Sequence, residues 1–567
     1  MADSSAEKNI EDVLGQAEFE ERADYLEFDK LTSWTATSKH FDNIQKKLIQ
    51  VGAKLITGPR GTGKTHQMRF AHYSCINDQA KPLSIYVSFN HYLRLETYLH
   101  ENSNAISIFH SWVLAKIVLS CFDEYKVFPP ECGFTDVELK SFIVDVEKQN
   151  YSKDISNIVS FLNVRAVQEY IESVMIQTNR KRAILLLDDA ALTLTSDYLV
   201  EFFDIFRSLK STRISPKASV YPGSTKYGPR FHLGQDAEKV PLWLNVSDPE
   251  YLEFMRAIIN SRFNEKINID DDMKELLMFC SFGIPRTYIM FIRSFIESDR
   301  KTIQSKFNSI IEEKCKNIID EYKSISQKLT QFSGIIDIGE SFISSILKEI
   351  KSFNYDKNQP EEKVISVGIS EIDKKADRMI KFLIEAGLLF EQDEVSHGPG
   401  RKLRRFTPHI SLLINDKSLI KSRGFKPTDI LDILKNKKTP QPVRRKFNKL
   451  LSEIEIAALI LNLPPCANCQ TQRIAEGQKF CHICGSELVD GSIFKKCMAQ
   501  KLLEIPLTPF QKRVIDKTQY STIEDVISSS DTAAEFRKIR GVGRVHSERI
   551  VNKITAWANE FYTNGKK

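Results

Sequence analysis

Neither a leader nor a membrane anchor can be read in this chain. Its first residues, Met1-Ala2-Asp3-Ser4-Ser5-Ala6-Glu7-Lys8, are polar and acidic, without the cationic and apolar blocks of a secretory signal. No apolar run approaches membrane-spanning length, so no membrane partner is expected. The expected setting is cytoplasmic, or nucleoid-associated in a bacterium. The ten cysteines do not argue for a disulfide framework either, because four fall in two pairs and the other six are scattered. Nuclease, protease and deaminase constellations are likewise missing, so any destructive chemistry has to come from a partner.

What is present is a long and otherwise ordinary chain. At 567 residues it exceeds a single core and predicts about three to five domains. Hydrophobic residues make up 42% and charged residues 27%, values of a soluble globular protein. The net charge of +6 hides an asymmetry. Residues 401–567 carry 31 Lys+Arg against 16 Asp+Glu, leaving 49 against 58 in residues 1–400. A basic C-terminal third on an acidic body predicts a polyanionic partner for the C-terminal modules.

The most informative stretch is Gly58-Pro59-Arg60-Gly61-Thr62-Gly63-Lys64-Thr65, which fits G-x-x-x-x-G-K-[ST] at every fixed position. The glycines let the backbone curl so that successive N–H groups face phosphate oxygens. Lys64 would reach the β- and γ-phosphates of ATP, and the Thr65 hydroxyl would ligate Mg²⁺. Ala53–Ile56 ahead of the loop reads as a buried strand, and Thr65 to Ser74 as a helix.

Leu83–Phe89 reads as a second strand, and residues 91–181 are mainly helical in period, for example at Ile108, Trp112, Val113 and Ile117. The apolar run Ala183–Leu187 then ends in Asp188-Asp189. Such a run suits a parallel strand covered on both faces, and ligands bind at the carboxyl ends of these strands. Asp188 would hold Mg²⁺ through water, and Asp189 would polarise the attacking water. A helix over Ser196–Ser208 precedes two further strands, Ala218–Tyr221 and Val240–Leu244. Two helical stretches follow, the second containing Gly283-Ile284-Pro285-Arg286.

This series resembles the AAA+ ATPases, in particular the origin-recognition/initiator branch and the related STAND-like signalling and transposition ATPases. The resemblance covers roughly residues 31–425, anchored at Gly58–Thr65, Asp188–Asp189 and Gly283–Arg286. It implies a polar sensor 1 at Ser224 or Thr225, and a sensor 2 at Arg286 contacting the γ-phosphate from the lid. It also implies an arginine finger at Arg230, or less readily Arg213, acting on a neighbouring subunit of a homo-oligomer. Many members carry Asp-Glu where this chain has Asp188-Asp189, which implies slow, switch-like hydrolysis.

Downstream, a winged helix is expected. Met379, Ile380, Leu383 and Ile384 share a helical face and Gly387 supplies the turn. Arg401, Lys402, Arg404 and Arg405 form a basic wing able to grip a phosphate backbone. Cys466-x-x-Cys469 and Cys481-x-x-Cys484 are knuckles for tetrahedral, structural Zn²⁺, the first with Gln470 where the second has Gly485. Residues 534–551 resemble a helix-hairpin-helix. Gly541 and Gly543 would open amides to a DNA phosphate, and Lys538, Arg540 and Arg544 would add charge.

The expected fold is therefore a multidomain chain. An acidic flexible N-terminus (1–30) precedes an α/β P-loop AAA+ core (31–247) and a helical lid (248–330). A winged helix (331–425), basic linker (426–463), four-Cys zinc ribbon (464–490) and helix-hairpin-helix (500–560) complete it. The expected function is an ATPase that couples nucleotide state to engagement of duplex or branched DNA, largely independent of sequence. It would be initiator- or loader-like, or belong to a mobile element or antiphage defence. The alternative is a signalling or scaffold ATPase whose C-terminal modules bind an effector protein.

Overall fold

The structure, a computed structural model, describes residues 23, 26–89, 95, 104–127, 134–148, 158–159, 161–189, 196–263, 268–328, 330–396, 402–421, 426–436, 442–463, 465–466, 468–474, 478, 480–486, 488, 498–505, 507–528 and 532–560. Five strands form the first sheet: β1 (Lys54–Thr57), β2 (Leu83–Ser88), β3 (Ala183–Asp188), β4 (Ile214–Val220) and β5 (Glu238–Pro241). Their order is β2-β3-β4-β1-β5, and every pairing is parallel.

Alternation along each strand feeds two separate cores. Leu55, Leu185, Leu187 and Ala218 point into one, while Ile56, Ile184 and Leu186 point into the other with Met68, Ala71 and Cys75 of the Lys64–Ile76 helix. Both faces are covered, so β1, β3 and β4 are buried at every residue. The register sets Thr57 beside Val220 and Leu187 beside Ala218. The carboxyl ends of β1, β3 and β4 therefore share one edge.

Helix Ala105–Tyr125 corrects one expectation. It has 21 residues and a stretch of mean hydropathy 1.7, so it is long and apolar enough to span a bilayer. It is instead the central core helix, packed against β2 and the helices Asp136–Lys148, Val164–Gln177 and Ser196–Leu209. Ile108, Trp112, Val113 and Ile117 are all buried in it. Being enclosed by three helices and the sheet, it is apolar on nearly every face.

Two boundaries shift. Residues 1–22 and 24–25 lie outside the described residues, but the helix Phe28–Ser33 crosses the expected end of the acidic arm. Leu26 and Leu31 are buried, and Arg69 Nη1 donates to Leu26 O at 2.8 Å. In the presumed basic linker, helix Pro427–Asn436 packs on helix Asp271–Cys280, with Lys435 Nζ 3.0 Å from Glu275.

The linker also contributes a strand to the second sheet. That sheet contains β6 (Val367–Ser370), β7 (Leu389–Ser396), β8 (Lys402–Pro408) and β9 (Val443–Lys446) in the order β7-β8-β6-β9. β7 and β8 form an antiparallel hairpin, and β9 joins β6 in parallel. Val443, Phe447, Leu450 and Leu451 are apolar beads among the cations, and their burial folds the segment.

Where two helical stretches were expected after β5, the described residues of 248–330 hold four helices, Tyr251–Phe263, Asp271–Cys280, Pro285–Glu297 and Ile303–Lys328, with Pro285 at the first turn of the third. One apolar core runs from these helices through Ile303–Lys328 and Ser333–Tyr355 into the second sheet. Trp243, Phe282, Phe390 and His409 join the two at ring-centroid distances of 4.7 Å (Trp243–Phe390) and 4.9 Å (Phe282–His409).

Candidate functional site

The phosphate loop follows β1 at the shared carboxyl edge, and its glycines carry the curl. Gly61 and Gly63 have φ of 80° and 90°, in the region that L side chains avoid. A Cβ on Gly58 would stand 2.9 Å from Thr62 Oγ1, which itself donates to Pro59 O at 2.8 Å. Gly63 caps the helix Lys64–Ile76, which puts Lys64 and Thr65 on its first turn, where unpaired N–H groups favour an anion.

Lys64 is buried and folds back on the loop, its Nζ donating to Gly58 O at 2.7 Å and Pro59 O at 3.1 Å. It also lies 3.9 Å from the centroid of the Tyr221 ring, which Arg60 approaches at 5.3 Å. Burial first, then the Arg60 charge, lowers its pKa to about 7, against the opposite pull of Asp189, Asp188 and Glu385.

Asp188 ends β3 in a buried position and accepts from Tyr86 Oη at 3.0 Å. Asp189 is buried beside it with φ of 55°, a left-handed turn that aspartate tolerates. The Asp189 N–H faces Asp188 Oδ1 at 3.0 Å and Ser219 Oγ at 2.9 Å. These contacts hold two carboxylates at the same edge as the loop.

The lid reaches the loop directly. Arg286 N donates to Gly61 O at 3.3 Å, and a Cβ on Gly61 would stand 3.0 Å from both Arg286 Cβ and Ile284 Cγ2. The Arg286 side chain is exposed at this seam. Gly283 has φ of 74°, and a Cβ there would stand 2.6 Å from Leu244 O, so the approach of the lid requires glycine.

The two sensor 1 candidates do different things. Thr225 Oγ1 accepts from Tyr221 N at 2.9 Å and closes the turn after β4. Ser224 instead meets Glu385, the last residue of helix Ala376–Glu385. Its Oγ donates to Glu385 Oε1 at 2.9 Å, while Ser224 N and Gly223 N both donate to Oε2 at 2.7 Å. Glu385, Tyr221 and Gly223 were missed in the sequence reading, because nothing local marks a residue whose partner is 161 positions away.

The arginine-finger candidates separate by position. Arg230 is exposed, with Nη1 3.8 Å from Asp204. Arg213 precedes β4, at the end of the sheet opposite the loop.

In the C-terminal region Cys466, Cys469, Cys481 and Cys484 hold their sulfurs within 4.8 Å of one another. The two knuckles share one backbone pattern. Cys466 N donates to Thr471 O and Gln470 N to Cys466 O, as Cys481 N does to Ser486 O and Gly485 N to Cys481 O. Gln470 has φ of 59° and Gly485 of 70°, so the glutamine adopts the turn that glycine takes in its counterpart. Ser486, through its hydroxyl and its amide, draws the Cys484 thiol down to about 5, toward the thiolate that a metal needs. Four clustered sulfur donors fit a closed structural Zn²⁺ site.

Several candidate DNA contacts already have acidic partners. Arg404 bonds Asp377 of helix Ala376–Glu385 at 2.6 Å and Glu391 of β7 at 2.7 Å. Lys538 pairs with Glu535 at 2.6 Å and Arg544 with Glu548 at 2.8 Å, both on the exposed surface. Arg405 faces the β6 backbone at Gly368. Arg401 lies outside the described residues, and Lys402 is placed only by its backbone in β8. Helices Thr532–Arg537 and Arg544–Glu560 flank an exposed turn in which Gly541 has φ of 91° and Gly543 has open space around it. Arg540 is exposed there.

No family model and no curated protein matches this chain. Among solved structures, it is similar to a Walker-type ATPase of Pyrococcus abyssi, with 11% identity, 68% of this chain and 96% of that one covered, and a TM-score of 0.36. It is also similar to the ORC1 protein of Aeropyrum pernix, solved in complex with DNA, with 15% identity, coverage of 68% and 93%, and a TM-score of 0.28. Likeness at these scores is too low to carry a fold assignment. The chain itself holds a parallel α/β core in which the Gly58–Thr65 loop and the paired acids share one edge, with Arg286 N bonded to the loop at Gly61 O.

Proposed function

We propose that the chain is an ATPase of the AAA+ type, initiator- or loader-like or belonging to genome defence, that couples its nucleotide state to engagement of DNA. The observation that carries this reading is the meeting of Gly58–Thr65, Asp188–Asp189 and the lid residue Arg286 at one sheet edge. In it, loop amides and Lys64 would cradle the β- and γ-phosphates, while Thr65, and Asp188 through water, would hold Mg²⁺, which would neutralise charge on the phosphates. Asp189 orients the attacking water, and Arg286 reaches the γ-phosphate from the lid. The four cysteines would hold Zn²⁺ structurally, and the region from β6 to β8 acts as a winged helix.

ATP turnover of the wild type and Lys64→Ala, with and without double-stranded and single-stranded DNA, tests this reading. Loss of charge-assisted hydrogen bonds, worth roughly 1.5–3 kcal/mol, should weaken nucleotide binding by about 10- to 100-fold. Turnover stimulated by DNA in the wild type, and absent in Lys64→Ala, is the expected result. The pairing of Arg404, Lys538 and Arg544 with carboxylates favours the second reading, a scaffold ATPase whose C-terminal modules take a protein effector. Turnover indifferent to DNA would select it.

A further inference from the structure

Glu385 belongs to the second sheet's unit, yet its carboxylate sits in the nucleotide core. It accepts three hydrogen bonds from the turn after β4: Gly223 N and Ser224 N at 2.7 Å and Ser224 Oγ at 2.9 Å. That turn lies at the carboxyl edge that also carries the phosphate loop. A Cβ on Gly223 would stand 2.8–2.9 Å from Phe382, so only glycine lets helix Ala376–Glu385 come so close. Two residues beyond Glu385, Gly387 meets Ile284 of the lid, and a Cβ there would be 3.9 Å from Pro59 of the loop. One helix end thus bonds the turn after β4 and lies close to lid and loop.

We propose that Glu385 is a nucleotide-sensitive latch, clamping the unit from β6 to β9 onto the core until a bound triphosphate displaces its carboxylate. The proposal rests on the reading of Gly58–Thr65 as a triphosphate site. Two adjacent backbone amides and a hydroxyl converging on one group form a small anion site, and an acidic side chain from another part of the fold fills it. The field of Glu385 also reaches Lys64, the cation assigned to the phosphates. A triphosphate at the loop brings several negative charges beside that carboxylate and draws Lys64 away from Gly58 O and Pro59 O. Like charges then oppose each other across Tyr221, and the contact that can yield is the one between separate units. Because the coupling is reciprocal, weakening the latch must tighten nucleotide binding.

The test uses the full-length, zinc-loaded protein and the Mg²⁺ complex of a non-hydrolysable ATP analogue. Glu385→Gln removes the charge at nearly constant shape, and Glu385→Asp keeps the charge but withdraws it by one methylene. Hydrogen exchange reads the Gly223 and Ser224 amides, and a nucleotide titration reads affinity. In the wild type the analogue should speed exchange at those amides by about tenfold or more, and both variants should bind it roughly fivefold tighter. In both variants exchange should be fast before nucleotide is added. If the wild type captures the analogue but neither exchange nor affinity responds, Glu385 is a static clamp and the latch is wrong while the nucleotide site stands. If the wild type captures no analogue, the nucleotide reading fails and the latch fails with it.

Discussion

Lys64 and Lys217 show how burial redirects a residue. Lys64 is the motif lysine, and its pKa of about 7 follows from burial first and Arg60 second. A cation whose pKa is lowered is partly neutral near neutral pH, and phosphates would restore its charge. Nucleotide binding should therefore take up a fraction of a proton around pH 7, and affinity should rise as pH falls through that region. Calorimetry in buffers of different ionisation enthalpy measures the uptake, and Lys64→Met should abolish it. Equal heats in every buffer would show that Lys64 stays charged in the free protein. Lys217 also lies near 7, chiefly through burial, yet it has no place at the site. Its amine donates to Gln50 O at 2.6 Å and to Gly52 O, tying the middle of β4 to the approach to β1. Nothing in its local sequence distinguishes it from a surface lysine.

Elements were legible where one rule governed them. The motif loop, the apolar β3 and the core helix around Trp112 follow from spacing or unbroken hydrophobicity. β4 was read as starting at Ala218 but begins at Ile214. Pro216 offers no N–H to the ladder and argues against a central strand, yet it pairs with Leu185 inside the sheet. β9 was hidden by Arg444, Arg445 and Lys446, because only its pairing with β6 reveals that a run of cations is a strand.

The cysteine knuckles provide a test at the element scale. Gln470 adopts a left-handed turn that costs an L residue about 1–2 kcal/mol relative to glycine. Gln470→Gly should therefore strengthen zinc retention by roughly 5- to 30-fold, measured by competition with a chelator. An unchanged or weaker grip would mean that the Gln470 side chain adds something its backbone does not.

At the scale of the whole molecule, the charge asymmetry makes its own prediction. If residues 401–567 engage DNA, log affinity should fall linearly with log salt, by about 0.9 for each phosphate contacted. Combining Lys538→Ala, Arg540→Ala and Arg544→Ala should lessen that slope by roughly 2–3. A slope that the triple variant leaves unchanged would put the DNA contacts elsewhere. Truncation at 426 is a poor substitute, because it removes β9 and with it the core around Phe447.

The chemistry at each site was decided locally. Loop, acids and cysteines are types at fixed spacing, and spacing is a property of the chain. The contacts between distant segments were not. Arg286 on Gly61, Glu385 on Ser224 and β9 on β6 exist because separate apolar faces share one interior, and burying them brought polar partners together from far along the chain. Sequence supplied the groups able to hold a triphosphate and a metal. Three-dimensional packing alone chose which remote carboxylate would stand beside them.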